Sequence, residues 1–119
     1  MNDCLHDSDL LELSNESLAS FEKRVGEIPS NLCAPFHTEA RVLETQLVSI
    51  YKVVVMATKR QDDLQEIANC WECMVNVCDA FAKQLRKLTD AHPYCGAEQY
   101  YDRVLELRSK CSRLQKMHS

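Results

Sequence analysis

Glycine and proline are scarce in this chain of 119 residues, which contains two glycines and three prolines. All-β folds need many tight turns, and tight turns depend on these two residues, so their scarcity argues against an all-β fold. The longest stretch that lacks both runs from Phe36 to His92. A stretch of this length without a helix breaker favours long helices, and the rest of the chain is organised around it.

Apolar residues within this stretch recur at spacings of three and four. That period is helical and lies close to the heptad of a coiled coil. The stripe comprises Phe36, Ala40, Leu43, Leu47, Ile50, Val54, Ala57, Leu64, Ala68, Trp71, Val75, Cys78, Ala82 and Leu85. We therefore predict an all-α fold.

The heptad phase continues through Arg60–Asp63, so the stretch is either a helical hairpin or one continuous rod. Lys59 and Arg60 suit the negative end of one helix dipole, and Asp62 and Asp63 suit the positive end of the next. A rod of this length would reach roughly 85 Å, which exceeds the size of a compact domain of this mass. The hairpin is the favoured interpretation.

Helix signals elsewhere complete the fold prediction. Gly26 and Pro29 end a first apolar segment, and His92-Pro93 ends the third, because the residue before proline avoids helical angles. We predict a single domain, residues 1–119. It is an antiparallel up-down-up-down four-helix bundle with helices at about 8–25, 38–60, 63–91 and 97–116, in which the helix 2–helix 3 hairpin is flanked by helices 1 and 4.

Charge alternates in sign along the four segments. The net charges are −5 for Met1–Pro35, +2 for Phe36–Gln61, −3 for Asp62–His92 and +2 for Pro93–Ser119. If helix 4 closes on helix 1, as in a square bundle, every neighbouring pair of helices has opposite charge. The alternation therefore predicts that closure.

Several further absences restrict the function. No apolar run approaches the eighteen or more residues of a membrane span, and the first residues are acidic rather than the basic start of a leader peptide. The net charge of −4 gives no general reason to expect a nucleic acid partner. Seven cysteines without a leader are typical of reduced thiols. We expect a protein of the cytoplasm or the nucleus.

Cys70-Trp71-Glu72-Cys73 is the one motif with chemical potential. A C-x-x-C pair serves in redox sites and as half of a zinc site, and Cys78 is a weak candidate for a third ligand. However, the motif lies inside a helical run rather than at a helix start, and no second pair accompanies it. We interpret these residues as structural cysteines and predict no metal and no cofactor.

Catalytic patterns are otherwise missing. The four histidines stand near chain termini or segment ends, and the two glycines lie seventy residues apart, so no phosphate-binding loop exists. No nucleophile–base spacing is recognisable. We predict that the protein is not an enzyme.

A second apolar stripe, distinct from the core stripe, is the main candidate for binding. Val48, Tyr51 and Val55 form it on the second helix, and Tyr101 and Leu105 are likewise off the main stripe of the fourth. These residues either close the core or face another chain. Three consecutive valines, Val53–Val55, also allow a strand, although both flanking segments are helical.

These patterns predict a non-enzymatic protein-interaction module, an adaptor or small subunit of a larger cytosolic assembly. Its partner would be a helical segment or a second copy of the chain, with Tyr51 as the main anchor. One alternative is metal or redox chemistry at Cys70 and Cys73. Another is peripheral binding of an anionic surface through the basic residues of helix 4: Arg103, Arg108, Lys110, Arg113 and Lys116.

Overall fold

The computed structural model describes residues 7–60 and 63–118. These ranges form four α-helices: α1 (Asp7–Glu27), α2 (Ala34–Arg60), α3 (Leu64–Ala91) and α4 (Glu98–His118). They contain no strand, and Val53–Val55 lie in α2. The predicted all-α four-helix bundle is confirmed. None of the described helices is both long enough and apolar enough to cross a membrane.

The break between α2 and α3 settles the choice between hairpin and rod. Lys59 and Arg60 occupy the last turn of α2. Asp63 is the N-cap of α3, and its carboxylate accepts hydrogen bonds from the backbone N–H groups of Gln65 and Glu66 at 2.9 and 3.4 Å. Asp62, the other acidic residue assigned to this start, lies outside the described residues. The longest dimension of the molecule is 51 Å, so a continuous rod is excluded.

The start of α2 differs from the prediction. The helix begins at Ala34 rather than near Thr38, so that Pro35 lies in its first turn. Proline is tolerated there because its missing N–H would have no intrahelical acceptor. The Cys33 carbonyl instead accepts hydrogen bonds from the N–H groups of Phe36 and His37.

A compact turn between α3 and α4 closes the end of the bundle opposite the α2–α3 break. His92 caps α3 by donating its N–H to the Leu88 carbonyl at 2.8 Å, and its ring stacks on Phe36 at 3.8 Å between ring centroids. Gly96 adopts a φ of 81° beside the ring of His37. A side chain at position 96 would be strained by its backbone and crowded by that imidazole.

The helices are arranged as a diamond rather than a square. The two hairpin helices contact each other, and each of them contacts both α1 and α4. Within the described residues α1 and α4 do not meet. Dimensions of 51 × 28 × 15 Å fit this flattened cross-section. The prediction that helix 4 closes on helix 1 is therefore wrong.

The breadth of the apolar surface of α3 explains the diamond. Its buried residues cover most of the helix circumference, so α3 packs against all three other helices. They are Ile67, Ala68, Cys70, Trp71, Cys73, Met74, Val75, Val77, Cys78, Phe81, Ala82, Leu85 and Leu88. By contrast, α4 buries three residues, Tyr100, Val104 and Cys111. A helix of this kind lies on the hairpin rather than completing a ring.

Candidate protein-binding groove

Helices α2 and α4 lie side by side and run in the same direction. Three contacts bridge them in order along both chains. The Tyr100 hydroxyl is 3.1 Å from Nε2 of His37, and the Arg103 guanidinium is 3.4 Å from the Glu44 carboxylate. Further along, the Lys110 ammonium lies 5.2 Å from the centroid of the Tyr51 ring. These three contacts join α4 to α2 at their surfaces, and a space remains open between the two helices.

An open groove of about 420 Å³ runs between the two helices. Leu47 and Val104 are buried at its floor, and Val48 and Leu107 are half-buried along its sides. Its polar lining consists of Glu44, Arg103, Glu106, Lys110 and Arg113. A groove with an apolar floor and charged walls can accept side chains from a partner.

Of the predicted α2 stripe, Val48 lies in this groove, whereas Tyr51 and Val55 pack against the core. Val48 lines the groove directly, and Val55 is half-buried against the core one turn beyond Tyr51. Tyr51 is also half-buried, with its ring 5.7 Å from the Trp71 ring on one side and beneath Lys110 on the other. Tyr51 therefore connects the core to the groove.

The predicted residues of α4 lie elsewhere. Tyr101 and Leu105 are half-buried against the core, and the Arg86 guanidinium of α3 is 5.9 Å from the Tyr101 ring. Nine residues separate Tyr101 from Lys110, which corresponds to about half a turn around the helix axis. The structure does not bring Tyr101 and Leu105 together with Val48 and Tyr51 on one surface.

Sequence reasoning missed Leu107 as a groove residue. Leu107 shares a helix face with the buried Tyr100, Val104 and Cys111 of α4, which is the pattern of a core residue, but it is half-buried and lines the groove with Val48. Periodicity shows which residues share a helix face, whereas the width of a seam depends on which helices meet. No signal in the sequence of α4 alone marks this position.

The groove lies between the two basic helices of an acidic protein. Helix α2 has four basic and two acidic residues, and α4 has five basic and three acidic residues. On the other side of the hairpin, α1 carries six acidic residues against two basic ones, and α3 carries four against three. Because α2 meets α4 and α1 meets α3, like-charged helices are neighbours across both faces.

A second groove of about 310 Å³ lies on the opposite side, between α1 and α3. Its lining includes Phe21, Val25 and Leu88, of which Phe21 and Leu88 are buried. The side-chain amide of Gln84 donates a hydrogen bond to the Glu22 carboxylate at 2.8 Å, which links the two helices at their surface. This groove therefore has a polar bridge between its walls.

The C-x-x-C cysteines are embedded in α3. Cys70 and Cys73 are 2% and 7% exposed, and they lie inside the helix rather than at its N-terminus. In the parts of the chain that the structure describes, no cluster of three or more histidine, cysteine or carboxylate side chains could hold a metal ion. The hypothesis of thiol chemistry at this pair gains no supporting geometry.

Cys78, the third weak metal candidate, instead pairs with Cys111. Both side chains are fully buried between α3 and α4, and their thiols form a hydrogen bond. Because it donates this bond and is buried, the Cys78 thiol has a strongly raised pKa. The same hydrogen bond lowers the pKa of Cys111, which accepts it. The two thiols thus form a buried contact within the α3–α4 interface.

No protein-family model, curated protein sequence or solved structure matches this chain.

Proposed function

We propose that this protein is a non-enzymatic interaction module that binds a helical segment of a partner protein in the α2–α4 groove. It would act as an adaptor or small subunit of a larger cytoplasmic assembly. The observation that carries the proposal is the groove itself, whose apolar floor is left open between two parallel helices. A helix laid into such a groove uses anchors at the i, i+3 and i+7 spacing.

Val48 is the residue best placed to contact a partner. It lines the groove, is half-exposed and does not belong to the set of residues packed into the core. Tyr51 lies beside it and is already supported by Trp71, so its ring presents a rigid edge at low entropic cost. A preorganised aromatic next to a half-buried valine that lines the groove is a suitable centre for an interface.

The test is loss of association without loss of fold. Val48→Glu puts a charge on the groove wall and should weaken partner binding by about tenfold or more, since an anchor in a desolvated seam is replaced by a carboxylate. Glutamate is a good helix former, so the melting temperature should stay almost unchanged. Affinity purification of the full chain with quantitative mass spectrometry measures the partner, and circular dichroism measures the fold.

Val53→Glu is the matched control. Val53 is on the same helix, is 42% exposed and lies about 140° away from Val48 around the helix axis. A protein that is lost with Val48→Glu and retained with Val53→Glu supports the groove. Equal recovery of all partners with both variants would refute the proposal, as would cooperative unfolding caused by Val48→Glu.

A second copy of the chain is the rival occupant. Light scattering on the isolated protein separates the two possibilities, because self-association through the groove predicts a dimer that Val48→Glu converts to a monomer. The proposal expects a monomer for both the native chain and the variant.

A further inference from the structure

Basic residues lie along both of the helices that form the groove. On α2, one stripe at alternating spacings of four and three contains Arg41, Thr45, Val48, Lys52, Val55 and Lys59. Val48 is the member of this stripe that lines the groove, and the exposed Arg41, Lys52 and Lys59 share its side of the helix. The stripe contains three bases and no acid. On α4, the groove lining adds Arg103, Lys110 and Arg113 against Glu106.

The positive charge is not evenly neutralised along the groove. At one end Arg103 is paired with Glu44 on the other wall at 3.4 Å. Towards the other end, neither Lys52 nor Arg113 has a carboxylate within 4 Å among the residues that the structure describes, and the Lys110 ammonium lies over the Tyr51 ring. Two basic helices held side by side with unpaired cations favour an anion between them.

The apolar lining of the groove restricts the class of anion that the groove can bind. Leu47, Val48 and Leu107 offer apolar surface, which the phosphate backbone of a nucleic acid cannot use. The lining on α4 from Arg103 to Arg113 extends over about three helical turns, or roughly 15 Å. These dimensions match one face of a short helix that carries both apolar and charged residues.

We infer that the occupant of the α2–α4 groove is an acidic amphipathic helix, whose apolar stripe meets Leu47, Val48 and Leu107. Its carboxylates lie against Lys110 and Arg113 of the lining and reach the exposed Lys52, one turn beyond Val48 on α2. This inference rests on the proposed function and specifies the partner of the same groove. Complementary charge fixes the orientation of the helix, since its more acidic end must lie at the end of the groove without the Glu44–Arg103 pair.

The experiment uses a synthetic probe. One fluorescent peptide of about four helical turns has leucines at the i, i+3 and i+7 spacing and glutamates on both flanks. A second peptide has lysines in place of the glutamates. Fluorescence anisotropy with the full-length protein should show that the acidic peptide binds at least about tenfold more tightly than the basic one, and that raising the salt from about 50 to 300 mM weakens it.

Two double variants locate the charge effect. Lys52→Glu with Arg113→Glu reverses one cation of the groove lining and the exposed cation one turn beyond Val48, and should weaken binding of the acidic peptide by about tenfold. Lys23→Glu with Lys83→Glu makes the same change in net charge on exposed positions of α1 and α3, and should change the affinity less than about twofold. Neither pair includes a buried residue or an observed ion pair of the described structure.

Three results would overturn the inference. The basic peptide could bind as tightly as the acidic one, or both double variants could weaken the acidic peptide equally. Alternatively, anionic vesicles or single-stranded RNA could bind through Lys52 and Arg113 while the acidic peptide does not. In each case the proposed function still stands if Val48→Glu removes a partner that Val53→Glu retains, so the two failures are distinguishable.

Discussion

The two faces of the diamond are built alike and charged oppositely. Each face is a groove between parallel helices, α2 with α4 on one side of the hairpin and α1 with α3 on the other. On the first face the cations of Lys52 and Arg113 have no ion-pair partner in the described residues, whereas on the second Gln84 bridges to Glu22 at 2.8 Å. Charges that alternate along the chain thus become separated across the molecule, because each of these two grooves lies between like-charged helices.

Destroying the shared hairpin core should abolish both faces together. Phe81 is fully buried on α3, so Phe81→Ala should lower the free energy of unfolding by about 3–5 kcal/mol through lost burial and the cavity left behind. Urea unfolding followed by circular dichroism measures this. A loss below about 1 kcal/mol would contradict the central place of α3 in the core that lies beneath both faces.

The basic face also depends on α4 remaining packed against α3. Cys78 and Cys111 are fully buried at that interface, and the raised pKa of Cys78 keeps its thiol protonated. Native alkylation with iodoacetamide should therefore modify exposed Cys33 at least about a hundredfold faster than Cys78. Peptide mapping by mass spectrometry reads the order, and comparable rates would show that α4 separates readily from the hairpin.

The turn between α2 and α3 is stabilised by the Asp63 cap at the start of α3. Asp63→Ala removes the carboxylate that caps α3, and should cost about 1 kcal/mol of stability. Asp63→Asn keeps a capping side chain and should cost less. Equal losses for the two variants, measured by thermal unfolding, would mean that the cap does not hold this end of α3.

The smallest expected effect is a change in stability that depends on the charge of the α2–α4 face and not on its packing. Arg113→Glu reduces repulsion between α2 and α4, so the isolated chain should gain about 0.2–0.5 kcal/mol at low salt, and the gain should disappear at high salt. The same substitution should weaken binding of an acidic helix. Destabilisation at low salt would show that Arg113 makes a stabilising contact in the folded chain, and would contradict the repulsion between α2 and α4.

The sequence was a good guide to the helices and a partial guide to their assembly. Periodicity and dipole-matched charges predicted four helices and the break after Arg60. They did not predict that Pro35 lies inside the first turn of α2, because proline is compatible with both a linker and a helix start.

The assembly was harder to predict because it depends on the widths of apolar faces rather than on their phase. Charge alternation favoured contact between α1 and α4, but the broad apolar surface of α3 outweighs exposed charge pairs that contribute little each. The candidate site was difficult to predict for the same reason, because its surface depends on which helices are neighbours. Val48, Tyr51 and Val55 share a face by spacing alone, whereas Tyr101 could be separated from them only once the neighbours of α4 were known.

The central claim is that the α2–α4 face, and not the α1–α3 face, receives a partner. A photoreactive amino acid introduced at position 48 or at position 25 tests it directly, because Val48 and Val25 are half-buried valines that line the two grooves. Irradiation of cells followed by mass spectrometry should yield a discrete protein adduct from position 48 and none from position 25. An adduct from position 25 alone, or the same adducts from both positions, would contradict the account.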